Sequence, residues 1–448
     1  MKILMISANI ATSPYPVFPL GMGMVTASLK SNGHEVTQFD FLQNEMSLDK
    51  LIKAVQSVSP DLIGISIRNI DNVNLIDEEC YIDTVKSIVQ TVHNISTVPV
   101  ILGGSGFSIL PLPTLKQTGA DYGIVGEGEK AILKFVSALE RGEKPVEPVI
   151  YAEKDLENDD IPSTYYDSEI LKFYQEKGYI VSIQTKRGCN KRCVYCSYPV
   201  LEGSKIRVCN PGKIVDDLLN LHENFNAGHI FFVDSVFNDS EGLYRNLIDE
   251  MIRRKVRIPW MAFFTPDKGL DDEIIEKMKL TGLEAAEIGA DATTDTTLKG
   301  LGKDFLFKDI INSNELFLKH GVATAFYYMF GGPGETKKTV FEGIENICSL
   351  RQTANFIFMG IRVLPGTPLA RLAIREGIIS RDDDLFESVY YISPGLDTEW
   401  LEKTLTEAFA DKFNCVFPPN SLDEKLHLLQ KMRYSCSRIY DLLGRNSV

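Results

Sequence analysis

The sequence predicts an α/β protein: a doubly wound parallel sheet, then a partial six-unit β/α barrel, then a small, mostly helical C-terminal region. Three features of the 448 residues predict it. Short apolar runs alternate with helical stretches over residues 1–145, and six further strand–helix units follow over 179–375. Between them an acidic, proline-bounded stretch, 146–178, reads as a linker, which leaves 376–448 as a helical cap.

In the first third, strands are expected at 3–7, 35–39, 62–66, 98–102 and 122–125, and helices near 20–32, 47–58, 81–93 and 129–140. The opening apolar run is short and is soon followed by Asn9, so it reads as a first strand and not as a signal peptide. The arrangement is Rossmann-like, and such sheets bind ligands at the C-terminal ends of their strands. The turns there hold Arg68 and Asn69, then Gly103, Gly104, Ser105 and Gly106, then Gly126, Glu127, Gly128 and Glu129. Small residues let a large ligand approach the backbone, although each glycine taken singly could simply end a strand.

The second set of strands is expected at 180–184, 229–234, 258–264, 285–290, 323–329 and 355–363, a TIM-like series open on one side. After its first strand come Cys189, Cys193 and Cys196, spaced C-x3-C-x2-C. Three thiolates are one short of a closed zinc site or a fully ligated iron–sulfur cluster, so the spacing points to a metal centre with an open position. A structural zinc completed by Cys209 or His222 is the other reading. Polar groups recur at later strand ends: Asp234 and Ser235, Asp291, Lys303, the run Gly331-Gly332-Pro333-Gly334-Glu335, and Arg362. Asp234 could equally belong to a helix cap, as could Asp239 or Ser240. The glycine run lacks the Gly-Lys-Ser/Thr ending of a phosphate loop. An arginine inside a barrel requires a charged partner, which makes Arg362 a candidate for substrate or cofactor contact.

The loop Thr185-Lys186-Arg187-Gly188-Cys189-Asn190-Lys191-Arg192-Cys193-Val194-Tyr195-Cys196 resembles that of the radical S-adenosylmethionine (SAM) enzymes. The order of elements before it resembles the cobalamin (B12)-binding domain often placed ahead of such a barrel, so the likeness covers roughly residues 1–370. It implies that Cys189, Cys193 and Cys196 hold a 4Fe-4S cluster whose unique iron is chelated by SAM. It places Tyr195 near the adenine, Asp234 and Ser235 near the SAM amino group, and Asp291 at the ribose, where many relatives carry glutamate. Lys303 then faces the SAM carboxylate, and Gly331, Gly332 and Pro333 complete the SAM site. The cobalamin contacts are the turn residues named above, without the Asp-x-His-x-x-Gly motif that supplies cobalt with a lower histidine in other cobalamin proteins. Arg362 and Tyr195 are the catalytic candidates. The implied reaction is methylation of an unactivated carbon or a phosphinate phosphorus of a small molecule, through a 5'-deoxyadenosyl radical and methylcobalamin. Ring formation, rearrangement or oxidation without methylation is the alternative, and a cobalamin carrier with a structural metal loop is a third.

A formal net charge of −14 argues against a nucleic-acid partner, because phosphate binding needs clustered Lys and Arg. No apolar run approaches the ~18 residues of a membrane span. Eight cysteines without paired spacing fit a reducing compartment, so a cytoplasmic enzyme is expected. The basic run Lys186 to Arg192 could attract an acidic electron donor such as flavodoxin or ferredoxin.

Overall fold

Ile3, Leu4 and Ile6 are fully buried, because the strand that holds them, β1 (Lys2–Ser7), has neighbours on both edges and is covered on both faces. The computed structural model describes residues 1–13, 15–178, 180–266, 269–431 and 434–445; Tyr179, where the barrel was expected to open, lies outside the described residues. The first sheet adds β2 (Glu35–Asp40), β3 (Leu62–Ser66), β4 (Val100–Gly103), β5 (Tyr122–Val125) and β6 (Val149–Tyr151), in the order β2-β1-β3-β4-β5-β6. Every pairing is parallel. The order reverses between β1 and β3, which opens a crevice at their C-terminal ends.

The stretch expected to be a linker contributes to this core. β6 extends the first sheet beyond residue 145, and the helix Ser168–Gly178 buries Ile170, Leu171 and Tyr174. The Tyr174 hydroxyl donates to the Asp40 carboxylate at 2.9 Å. A three-residue strand just after Pro145 and Pro148 is too short to show periodicity, and the acidic run before the helix hides its apolar face.

A second parallel sheet starts with β7 (Val181–Ile183). A small antiparallel ribbon follows, β8 (Lys186–Arg187) with β9 (Arg207–Val208). The sheet continues through β10 (Ile230–Phe232), β11 (Trp260–Phe264), β12 (Leu283–Asp291), β13 (Ala323–Phe330) and β14 (Thr353–Met359). β15 (Ile361–Arg362) pairs with β16 (Tyr390–Tyr391), and β17 (Cys415–Val416) adds a parallel strand beside β14 that the sequence did not reveal. The order β17-β14-β13-β12-β11-β10-β7 leaves β7 and β17 as the two edges, an open barrel with the cysteine loop after its first strand.

Only the first part of the C-terminal tail lies at the C-terminal strand ends of the barrel, where Ser393 N donates to the Gly331 carbonyl at 2.8 Å. The tail's last helix, Cys436–Arg445, packs on the inner face of β12, β13 and β14, where Ala325 and Ala354 leave room for Ile439, Tyr440 and Leu443. Ser437 meets Glu284 at the start of β12 at 2.8 Å, so the helix fills the barrel from the opposite end. Inside, the Tyr440 hydroxyl donates to Glu287 at 2.6 Å.

Burial pushes the Glu287 carboxyl up to about 7, against hydrogen bonds from Tyr440 and Tyr327. The unfolded chain releases this proton near the ordinary value of 4.5, whereas the folded chain retains it. Stability should therefore fall as pH rises across that window and stay lower above it. Glu287→Gln is expected to be more stable than the parent at pH 8 and to lose that advantage near pH 4, as measured by urea midpoints. An equal difference at both pH values would show that this group does not titrate on folding.

Candidate functional site

A cavity of about 510 Å³ occupies the crevice at the C-terminal ends of the first sheet. All the turn residues picked out from the sequence line it except Gly106, where a Cβ would meet Ile67 Cγ2 at 2.8 Å. Gly104 must be glycine on two counts. Its φ is +94°, and a Cβ would sit 2.4 Å from the Ile67 carbonyl oxygen. Gly103 differs: nothing lies nearer than 3.9 Å to the place its Cβ would take, so that space belongs to the cavity. Met5, Ile65, Ile101 and Ile124 give the cavity an apolar lining, to which Arg68 and Asn69 add polar groups. A large, flat ligand with a polar rim suits this cradle, and the corrin of cobalamin is such a group. The lining is completed from the second sheet's side by Gln184, Arg187, Tyr198, Leu201 and Glu202.

Two of the expected ligand contacts are otherwise engaged. The Glu127 carboxylate accepts from Arg207 Nη1 at 2.9 Å, and Glu129 accepts from Arg187 Nη1 at 3.3 Å, all four side chains being buried. They close the junction between the sheets and expose little of their charge to a ligand. The sequence carried no sign of this cluster, since Arg207 lies in an unremarkable stretch and Arg187 is one of several basic residues in the loop.

The cysteine loop is held by its surroundings. Asp234 is fully buried and accepts from Thr185 N at 2.7 Å, Thr185 Oγ1 at 2.5 Å and Lys186 N at 3.1 Å. It therefore anchors the root of the loop instead of facing a ligand's amino group. Ser235 likewise donates to the Gly188 carbonyl, at 3.1 Å. Asp239, the alternative cap, pairs with the buried Lys186 Nζ at 2.8 Å and also accepts from the amides of Leu243 and Tyr244. Gly188, with φ +83°, passes where a Cβ would lie 2.0 Å from the Lys205 carbonyl oxygen. Further along, Val194 N donates to Leu301 O at 3.0 Å.

Burial raises the Cys193 thiol above its ordinary value and pushes Cys196 up to about 12, and the neighbouring cysteines add to both shifts. The mutual repulsion shows that the three sulfurs lie near one another. Among the described residues no three such side chains close around a single ion. Ligands of a cluster bind different irons, so three cysteines need not converge on a single ion to hold one. The zinc alternative loses its fourth ligand: Cys209 Sγ contacts the Gln184 carbonyl at 3.8 Å, and His222 Nδ1 bonds to Ala227 O at 3.2 Å.

Beside the cysteines, Lys303, Asp291 and Tyr195 bond to one another, contacts that the sequence did not reveal. Tyr195 donates to Asp291 Oδ2 at 2.5 Å, Lys303 pairs with the same carboxylate, and Lys303 Nζ lies 3.3 Å from the Tyr195 oxygen. Burial alone would lower the Lys303 pKa; Asp291 and Cys193 outweigh it and hold the ammonium charged. Asp291 adopts φ +63° at an irregularity in β12, which turns the carboxylate toward the loop. At the end of β13, Glu335 folds back to accept from the Gly331 and Gly332 amides, the latter at 3.2 Å, and burial pushes its carboxyl up to about 7.

Arg362 does not reach into the barrel. Its Nε donates to Asp71 of the first sheet's β3 turn at 2.9 Å, and its other nitrogens donate to the carbonyls of Val363 and Leu385, each at 3.0 Å. The required partner exists, but it makes a bridge between the two halves and not a substrate contact.

Residues 6–136 match the B12 binding domain model and 183–347 the Radical SAM superfamily model. The chain belongs to the cobalamin-dependent radical SAM enzymes. Tryptophan 2-C-methyltransferase of Streptomyces laurentii is 24% identical over 432 residues, covering 80% of this chain and 72% of that one. Cytidylyl-2-hydroxyethylphosphonate methyltransferase of Streptomyces wedmorensis is 21% identical, covering 93% and 89%. The structure of the radical SAM methyltransferase TsrM from Kitasatospora setae, with tryptophan and a SAM analogue bound, superimposes with a TM-score of 0.84 at 21% identity over 100% of this chain and 99% of that one. That likeness is one of fold. Among the described residues no helix is long and apolar enough to cross a membrane.

Proposed function

We propose that this member of the family methylates an unactivated carbon, or a phosphinate phosphorus, of a small molecule. Contiguity carries the reading: Ser197 and Tyr198, which directly follow Cys196, form part of the wall of the first sheet's cavity. Cys189, Cys193 and Cys196 are the cluster ligands, and the turns around Arg68, Gly103 and Gly126 hold the corrin. Tyr195, Asp291 and Lys303, with the Gly331–Pro333 turn, bind SAM. When bound, the cluster with SAM supplies a radical and cobalamin supplies the methyl group. The protein's own part is to bind, orient and exclude water: the Lys303 ammonium offers donors to a carboxylate, Asp291 fixes that ammonium, and Asp234 holds the loop root. Cysteines that are free among the described residues and a cluster with an open corner fit the cytoplasm, where a low-potential flavodoxin or ferredoxin would supply electrons.

The relatives act on unlike substrates, so the test keeps the substrate open. Protein reconstituted anaerobically with iron, sulfide and hydroxocobalamin is given a reductant and SAM with a deuterated methyl group, plus candidate small molecules. Cobalamin-dependent S-adenosylhomocysteine and a product three deuterons heavier are expected. If 5'-deoxyadenosine appears with no methylated product, the non-methylating alternative takes over. Absence of both nucleosides from protein with a verified cluster would sink the enzyme reading.

A further inference from the structure

We propose that Arg187 is a positioning residue that couples occupancy of the first sheet's cavity to the order of the cysteine loop, so that cluster and corrin strengthen each other's binding. This rests on the assignment of that cavity to cobalamin. Arg187 is 5% exposed, lines the cavity and stands two residues before Cys189. Its guanidinium pairs with Glu129, lies 3.6 Å from Glu127 Oε2 and donates through Nε to Gln184 Oε1 at 3.3 Å. Both glutamates belong to the Gly126–Glu129 turn, which also lines this cavity. The ribbon adds a constraint, because Arg187 lies directly across from Arg207. Like charges facing each other across strands repel unless carboxylates lie between them. Here Glu127 and Glu129 do so, and the ribbon keeps its shape only while the turn is in place.

The chain passes straight from this clamp to the cluster ligands. Gly188 N donates to Glu202 Oε2 at 2.9 Å, Cys189 N donates to Gly203 O at 3.1 Å, and Glu202 is itself a cavity residue that also accepts from Gln184 at 3.0 Å. A ligand that fixes the 126–129 turn therefore fixes Arg187, and with it the path of the chain into Cys189. By linkage, a cluster that fixes Cys189 must favour the cavity's ligand by the same factor.

The affinity of hydroxocobalamin is measured by anaerobic equilibrium dialysis, without SAM or turnover, for cluster-free and cluster-loaded full-length protein, in the parent and in Arg187→Lys. Lysine keeps the charge but not the two-pronged grip. The parent should bind about tenfold tighter when its cluster is loaded, within the usual range of such couplings. In Arg187→Lys the ratio should fall to near one while both forms still bind cobalamin and iron. Equal affinities in the two parent forms overturn the proposal, as does a full ratio retained in Arg187→Lys. No saturable binding to either parent form would instead refute the cobalamin assignment, and the coupling with it.

Discussion

Lys303→Met should cost about 3–5 kcal/mol of folding stability, because removing one member of a buried pair leaves the other charge without compensation. The orphan would be Asp291, 9% exposed and already accepting from Tyr195. The double change Lys303→Met with Asp291→Asn removes both charges, so most of that stability should return. SAM binding should not. A charge-assisted hydrogen bond is worth about 1.5–3 kcal/mol, so both variants should bind SAM roughly ten- to a hundredfold more weakly. Urea unfolding under anaerobic conditions and equilibrium dialysis of SAM separate the two effects. If Lys303→Met unfolds at the parent's midpoint, the pair is not the buried unit described. If the double variant recovers SAM affinity along with stability, Lys303 only neutralises Asp291 and does not touch the ligand.

What the sequence made legible follows physical range. The six strand–helix units of the second sheet were visible because each strand is a run of apolar residues buried on both faces, and the cysteine spacing is local chemistry. Tyr195, Asp291 and Lys303 lie far apart along the chain, and the resemblance gave each its own SAM contact; that they bond to one another became visible only in the folded structure. Long-range partners stayed hidden. Asp234 was given a ligand contact by the resemblance, and Arg362 because an arginine inside a barrel needs a charged partner. Their actual partners, the amides at Thr185 and Lys186 and the carboxylate of Asp71, are 48 to 49 and 291 residues away. β6 and β17 are three and two residues long, too short for a period of two to register. The final helix showed an amphipathic face, but only the small residues lining the barrel reveal what that face packs against.

Neighbouring glycines in one turn should respond in opposite ways to the loss of glycine, which makes Gly103 and Gly104 a test of the cavity itself. At Gly103 a larger side chain meets no protein atom nearer than 3.9 Å from its Cβ and must project into the cavity. Gly103→Leu should therefore leave the thermal midpoint unchanged and weaken cobalamin binding about tenfold to a hundredfold, the cost of forcing extra methylenes into a filled space. Gly104→Ala should do the reverse. Its positive φ and the Ile67 carbonyl 2.4 Å from the new Cβ strain the turn whether or not a ligand is present, at a cost on the order of 1–3 kcal/mol. Cobalamin affinity of the protein that remains folded should then change less than stability does. Should Gly103→Leu bind cobalamin like the parent, the corrin does not lie over β4; should it also unfold at lower temperature, the open space at Gly103 is not available to a side chain. Only the combination of intact folding and lost binding places the cofactor against this strand end.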